Sequence, residues 1–179
     1  PELSFQEVET SGRIKNYLRE LGIEFTEGWA GHGIVASIKG RNSGPVIMLR
    51  ADMDALPIQE ETNIPFKSLQ AGVMHACGHD VHTSSLLGVA SILQQFKNEI
   101  QGEVKMIFQP GEEKLPGGAS LMIKEGLFEK IEPEWILGQH VYPALPAGHV
   151  GSREGLYMAS SDEIYITIKS KGGHAAAPH

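Results

Sequence analysis

Four consecutive apolar residues, Val46-Ile47-Met48-Leu49, run directly into Arg50-Ala51-Asp52-Met53-Asp54. An uninterrupted apolar run of this kind has no polar face to offer water. It reads as a strand buried on both faces, the type found in a sheet covered by helices on both sides. The neighbouring segments fit such a sheet. Phe5, Val8, Ile14, Tyr17, Leu18 and Leu21 recur near helical spacing, and Gly22 supplies a C-terminal stop. Ser4-Phe5-Gln6-Glu7 has the form of a capping box, which makes Ser4 the expected N-cap. Ile34 to Ile38 alternates, as a half-exposed strand does. From Asp80 to Phe96 the pattern is helical, through Val81, Leu86, Leu87, Val89, Ile92 and Leu93. Val104 to Phe108 predicts another strand, Leu121-Met122-Ile123 and Leu127 a further helix, and Trp135-Ile136-Leu137 a last strand. Helices alternating with strands give an α/β class with a mostly parallel sheet and flanking helices.

In such sheets ligands sit beyond the carboxyl ends of the strands. Asp52, Asp54, Glu112, Glu113 and His140 all fall at or just past predicted strand ends. Met74-His75-Ala76-Cys77-Gly78-His79-Asp80 places the only cysteine two residues from a histidine. Thiolate, imidazole and carboxylate are the groups that hold divalent transition metals. A spare carboxylate beside such a set is what a metal hydrolase needs as general base. In an extended segment Cys77 and His79 would point to the same side, and Gly78 lets the backbone turn tightly. Taken alone, the pair also fits a buried cysteine packed as a small hydrophobe beside a surface histidine. His75 and His82 nearby shift the balance toward metal, with His82 one turn into the helix. Glu112 and Glu113 are framed by Pro110, Gly111, Pro116, Gly117 and Gly118, which constrain their loop. Adjacent carboxylates repel and a cation relieves the repulsion, so one can ligate while the other stays free as base. Asp52 and Asp54 are either acceptors that fix ligating imidazoles, the role favoured for Asp54, or merely loop carboxylates.

Charge narrows the partners. The net charge is -7, with no block of basic residues, which argues against nucleic acid and anionic membrane. No apolar run reaches membrane-spanning length. A lone cysteine excludes an internal disulfide and suits a reducing, cytoplasmic compartment. After Gly155 the character shifts, and Glu163 to Lys169 alternates strictly, as a strand with one solvated face does. We therefore expect a boundary near Met158 to Asp162, with a first domain over 1–158 and the start of a second over 159–179. The chain opens on Pro1 without a methionine and stops at His179 inside a Gly- and His-rich segment, so a longer natural protein is expected.

Five motifs then occur in order: Arg50-Ala51-Asp52-Met53-Asp54-Ala55-Leu56-Pro57, Met74 to Asp80, Gln109-Pro110-Gly111-Glu112-Glu113, Gly138-Gln139-His140, and Gly173-His174-Ala175-Ala176-Ala177-Pro178-His179. Together they resemble the dinuclear-metal amidohydrolases that include N-acyl-amino-acid deacylases, hippurate hydrolases and indole-acetyl-amino-acid hydrolases. These are relatives of the aminoacylase and glutamate-carboxypeptidase metallopeptidases. The resemblance implies a zinc-exopeptidase-like catalytic domain interrupted by a smaller α+β lid and dimerisation domain. A later segment would complete the sheet and supply a further histidine ligand. It also implies that Cys77, His79, Glu113 and His140 ligate two divalent ions (zinc, manganese, cobalt or nickel). Glu112 would be the general base, and His174 would reach a partner subunit's site to bind the substrate carbonyl. The implied reaction is amide hydrolysis of a small N-acyl amino acid or dipeptide-like substrate by a metal-activated water, in a homodimer. Two rival readings remain at this point. One is a cysteine hydrolase with Cys77 as nucleophile and His79 or His140 as base. The other is a metal-binding module without turnover.

Overall fold

The computed structural model describes residues 1–129, 131–159, 162, 164–169, 171–174 and 176. Contacts divide the chain into two compact units, Pro1–Tyr142 and Pro143–His179. Among the described residues, the first unit holds every α-helix and strand: α1 (Val8–Glu20), β1 (Glu24–Trp29), β2 (Gly33–Lys39), β3 (Asn42–Asp52), α2 (His79–Gln95), β4 (Gln101–Gln109), α3 (Gly118–Lys124) and β5 (Trp135–Gly138), with one 3-10 turn over Lys97–Glu99. No described helix is long and apolar enough to cross a membrane.

The strands form one sheet in the order β1-β2-β4-β3-β5. β4, β3 and β5 run parallel, whereas β2 is antiparallel to both β1 and β4. The sheet is thus mixed rather than mostly parallel. The reason is the short β1–β2 and β2–β3 connections, which leave no room for a crossover helix. β1 was not foreseen because Glu24-Phe25-Thr26-Glu27-Gly28-Trp29 carries few apolar residues and lies at the sheet edge.

Alternate residues of the strands feed two cores. Ile34, Ala36, Ile38, Ala51, Val104, Met106 and Phe108 meet Ile14 and Leu18 of α1 and Leu86 and Ala90 of α2. On the other face Val35, Met48 and Ile107 pack with Met122 of α3 and with Leu127. β2 is accordingly buried on both faces rather than half exposed, because α3 covers the side that the alternation assigns to water. Full burial of such side chains contributes roughly 1.5–3 kcal/mol each, which fixes the strands in register.

The start of α1 differs from the expected capping box. Glu7, not Ser4, occupies the N-cap position. The free N–H groups of Glu9 and Thr10 donate instead to the carboxylate of Glu2, at 3.0 and 2.7 Å. Ser4 is thereby released for a long-range contact. Its Oγ donates to Asp54 Oδ2 at 2.7 Å.

In the second unit, Ile164 to Lys169 forms no strand, and Ile164, Ile166 and Ile168 are all exposed. An alternating pattern makes a segment compatible with a sheet edge but does not by itself create the neighbouring strand that a ladder requires. Glu163, at the head of the expected strand, lies outside the described residues, as do Ala175, Ala177, Pro178 and His179 of the last motif.

Candidate metal centre

Three parallel strands end at one edge of the sheet. The register pairs Asp52 with Gln109 and Arg50 with Gly138, so the segments after β3, β4 and β5 emerge side by side. These segments carry Asp54, Glu112 and Glu113, and His140. The N-terminus of α2 supplies His79 at the same edge.

Cys77 and His79 do not lie in an extended segment. Gly78 between them has φ +84° and caps α2, so Cys77 ends a turn while His79 opens the helix. The left-handed turn nonetheless aims both side chains inward. A Cβ at Gly78 would stand 2.4 Å from Val141 Cγ2, so the glycine also allows the segment after β5 to close on the site. Across this contact Cys77 Sγ lies 3.3 Å from His140 Nε2.

The imidazoles are held by their other nitrogens. His79 Nδ1 lies 3.0 Å from the Asp54 carbonyl and 3.2 Å from Asp54 Oδ1, which places its N–H there and leaves Nε2 with a free lone pair. His140 Nδ1 lies 2.7 Å from the Val141 carbonyl, so its Nε2 is likewise free to face Cys77. His82 is different. Its Nε2 accepts the Val141 N–H at 2.9 Å and its Nδ1 meets Asp52 Oδ1 at 2.6 Å. Both nitrogens are used, so His82 positions the loop that carries His140 and has no lone pair left for an ion. Asp52 also pairs with Arg50 Nη1 at 2.8 Å.

Carboxylates crowd the free face of His79. Its Nε2 is 3.5 Å from Asp52 Oδ2, 3.8 Å from Glu113 Oε1 and 3.9 Å from Glu112 Oε2. His79 Nε2 and Glu113 Oε1 are buried and have no hydrogen-bond partner. Two unpaired polar atoms, one basic and one anionic, cost free energy unless something between them is a cation. Cys77, His79 and His140 present ligand atoms within 4.8 Å of one another, and so do His79, Glu112 and Glu113. Sulfur, nitrogen and oxygen donors in these two overlapping groups fit borderline divalent ions.

The electrostatics follow from this crowding. Burial and the neighbouring Glu113 raise the Glu112 carboxyl above its usual range, against opposing pulls from His79 and Arg50. Burial and the nearby carboxylates of Glu113, Glu112 and Asp52 push the Cys77 thiol up to about 12. For His79, burial opposes protonation, but Asp54 and Asp52 outweigh it and raise the imidazole. Burial also works against the Asp54 carboxylate. Hydrogen bonds from His79, the Glu113 N–H and the Ser4 hydroxyl overcome that effect and hold it at about 2. The field at this edge is negative, the sign that gathers cations.

The profile of peptidase family M20/M25/M40 matches residues 48–178. The chain belongs to that family. Over its whole length it is 50% identical to N-acetylcysteine deacetylase of Bacillus subtilis (strain 168), of which it spans 47%. It is 42% identical to N-acyl-L-amino acid amidohydrolase of Geobacillus stearothermophilus, again over its whole length and 48% of that relative. The chain thus spans about half the length of these curated relatives. The crystal structure of the Bacillus subtilis YXEP protein, a dinuclear metal binding peptidase from the M20 family, superposes with a TM-score of 0.81 at 49% identity. It covers 87% of this chain and 43% of that one. The family that the five motifs resemble and the α/β class read from the alternation of helices and strands are both borne out.

His174 belongs to the second unit, where it is exposed and its Nδ1 accepts the Ala176 N–H at 3.2 Å. Sequence reasoning missed the parts played by Ser4, Glu7 and His82. Only the spacing of His82 one turn after His79 hinted at a shared helix face.

Proposed function

We propose that the protein is a metal-dependent amidohydrolase that cleaves the amide bond of N-acyl amino acids or related small peptide-like substrates. The observation that carries this reading is the facing pair of unpaired buried atoms, His79 Nε2 and Glu113 Oε1, with Glu112 beside them. Cys77, His79, Glu113 and His140 would hold two divalent ions. Bound there, the ions would supply positive charge that polarises the scissile carbonyl and makes a water molecule more acidic. Glu112 has a carboxyl raised by burial and by Glu113, so it can take a proton and give it back. It would remove the proton of the attacking water and deliver it to the leaving amine. Asp54 keeps His79 Nε2 free by holding its Nδ1–H, whereas Asp52 holds His82 Nδ1 so that its Nε2 accepts the Val141 N–H and anchors the His140 loop. The names of the two relatives, both of which concern N-acyl amino acids, support this substrate class.

The cysteine-hydrolase alternative fits less well. A thiol surrounded by three carboxylates is held away from its nucleophilic form, and Glu112 and Glu113 would have no task. The test of the main reading is Glu112→Gln in the full chain. The variant should keep its bound metal, measured by elemental analysis, and lose about 10²-fold or more in kcat. Near-normal kcat with metal bound would remove Glu112 from the mechanism.

In the same reading, residues from about 159 begin a lid domain through which two subunits pair, and His174 binds the substrate carbonyl in the partner's site. His174→Ala should then lower kcat by about 10² to 10³ without loss of metal. Mixing His174→Ala with Glu112→Gln subunits should restore activity. No restoration in a preparation shown to exchange subunits would refute the shared site.

A further inference from the structure

The segment before α1 has no evident reason to be polar and buried, yet Ser4 and Glu7 are both buried, Glu7 completely. Each is tied to the same loop. Glu7 Oε1 accepts the Gly111 N–H at 2.8 Å, across more than a hundred residues of sequence. Ser4 Oγ donates to Asp54 Oδ2, and the same oxygen accepts the Glu113 N–H at 2.9 Å. Between these two struts lies Phe5, with φ +64°, a conformation uncommon for a residue with a side chain. Its ring fills the space a side chain at Gly111 would need, with Cε1 2.4 Å from the position of a Cβ. The segment is itself anchored, since the Ala55 N–H donates to the Glu2 carbonyl at 2.8 Å and Leu3 bridges Ala55.

We infer that Ser4 and Glu7 are positioning residues for the loop that carries Glu112 and Glu113, with Ser4 acting through Asp54 and Glu7 through Gly111. The inference rests on the hydrolase reading for its kinetic consequence, but not for its structural one. Neither residue touches the metal-facing atoms. Glu7 holds the loop backbone directly at Gly111, and Ser4 holds it through the Asp54 carboxylate that accepts the Glu113 N–H. Gly111 has φ +56°, so its own conformation does not fix the loop, and the Glu7 acceptor and the Phe5 ring supply that restraint from outside. Asp54 joins the two halves of the device. The oxygen that Ser4 and the Glu113 N–H share belongs to the same carboxylate whose Oδ1 faces His79 Nδ1. A shift in Ser4 is therefore passed to Glu113 and His79 together.

The test compares Glu7→Leu, Glu7→Gln and Ser4→Ala in the full chain. Leucine fills the site and leaves the Gly111 N–H without an acceptor, whereas glutamine keeps one oxygen for it. In Glu7→Leu the Gly111 amide should exchange with deuterium at least about tenfold faster, whether or not the enzyme is active. The kcat should fall about 10- to 100-fold, the usual cost of displacing a catalytic group by a fraction of an ångström to one ångström. The KM and the metal content should stay near wild type. Glu7→Gln should recover most of both losses. Ser4→Ala, a small truncation that tests the second strut if Glu7→Leu does not fold, should lower kcat about tenfold at constant KM. The inference is overturned if folded, metal-loaded Glu7→Leu and Ser4→Ala both keep kcat within about twofold of wild type. It is also overturned if Glu7→Gln is as impaired as Glu7→Leu, which would assign the loss to the carboxyl's charge. A wild type without amidase activity would defeat the hydrolase reading alone, and the exchange rate at Gly111 would still decide the structural claim.

Discussion

Replacing Gly78 with alanine should damage fold and metal centre together, because one backbone position serves both. Gly78 has φ +84°, which costs an L-residue roughly 1–2 kcal/mol. The new Cβ would also stand 2.4 Å from Val141 Cγ2, so Val141 must move. Overpacking of this kind typically costs about 1–3 kcal/mol. Val141 cannot move independently. Its N–H donates to His82 Nε2 and its carbonyl receives His140 Nδ1. The combined cost is therefore about 2–5 kcal/mol of stability. It should be accompanied by separation of Cys77 from His140, now 3.3 Å apart. Urea unfolding measures the first effect and zinc competition against a chromophoric chelator the second. A Gly78→Ala protein that loses less than about 1 kcal/mol, a typical change for an ordinary substitution, and binds zinc as tightly as wild type would refute the reasoning.

Two further outcomes follow from buried polar groups. His82→Ala removes the acceptor for Val141 and the partner of Asp52, so metal affinity should fall about 10- to 100-fold although His82 ligates nothing. Calorimetric titration showing unchanged affinity would overturn that. Burial raises the Glu7 carboxyl, against the pull of the Gly111 N–H, so the native state holds this proton more firmly than the unfolded chain does. Its contribution to stability is present below the unfolded value of about 4.3 and is lost as pH rises through the higher folded value. Asp54, the nearby charge, is held at about 2 and stays ionised across that window. Wild type should gain stability relative to Glu7→Gln as pH falls from neutral toward 4. Urea midpoints that differ by a constant amount at every pH would disprove it.

The sequence by itself determined the elements that depend on local pattern. The apolar run Val46 to Leu49 lies within β3, although only Met48 is fully buried and Val46, Ile47 and Leu49 are half-buried rather than covered on both faces; the helical spacing after Asp80 became α2, and Gly22, with φ +65°, ended α1. The motifs also located Glu112, Glu113 and His140 at strand ends, because a parallel strand must deliver its polar successors to the carboxyl edge. The tertiary structure decided what depends on distant partners. Ser4 looked like a helix cap, but Glu2 reaches the free N–H groups and Ser4 goes to Asp54. Ile34 to Ile38 looked half exposed, but α3 and Leu127 cover the second face. Cys77 and His79 looked like alternate residues of an extended segment, but a left-handed Gly78 and the close approach of Val141 bring them together. In each case the local pattern fixes which conformations are cheap. The choice among them is made by hydrogen bonds and packing across tens of residues, which no window of sequence contains.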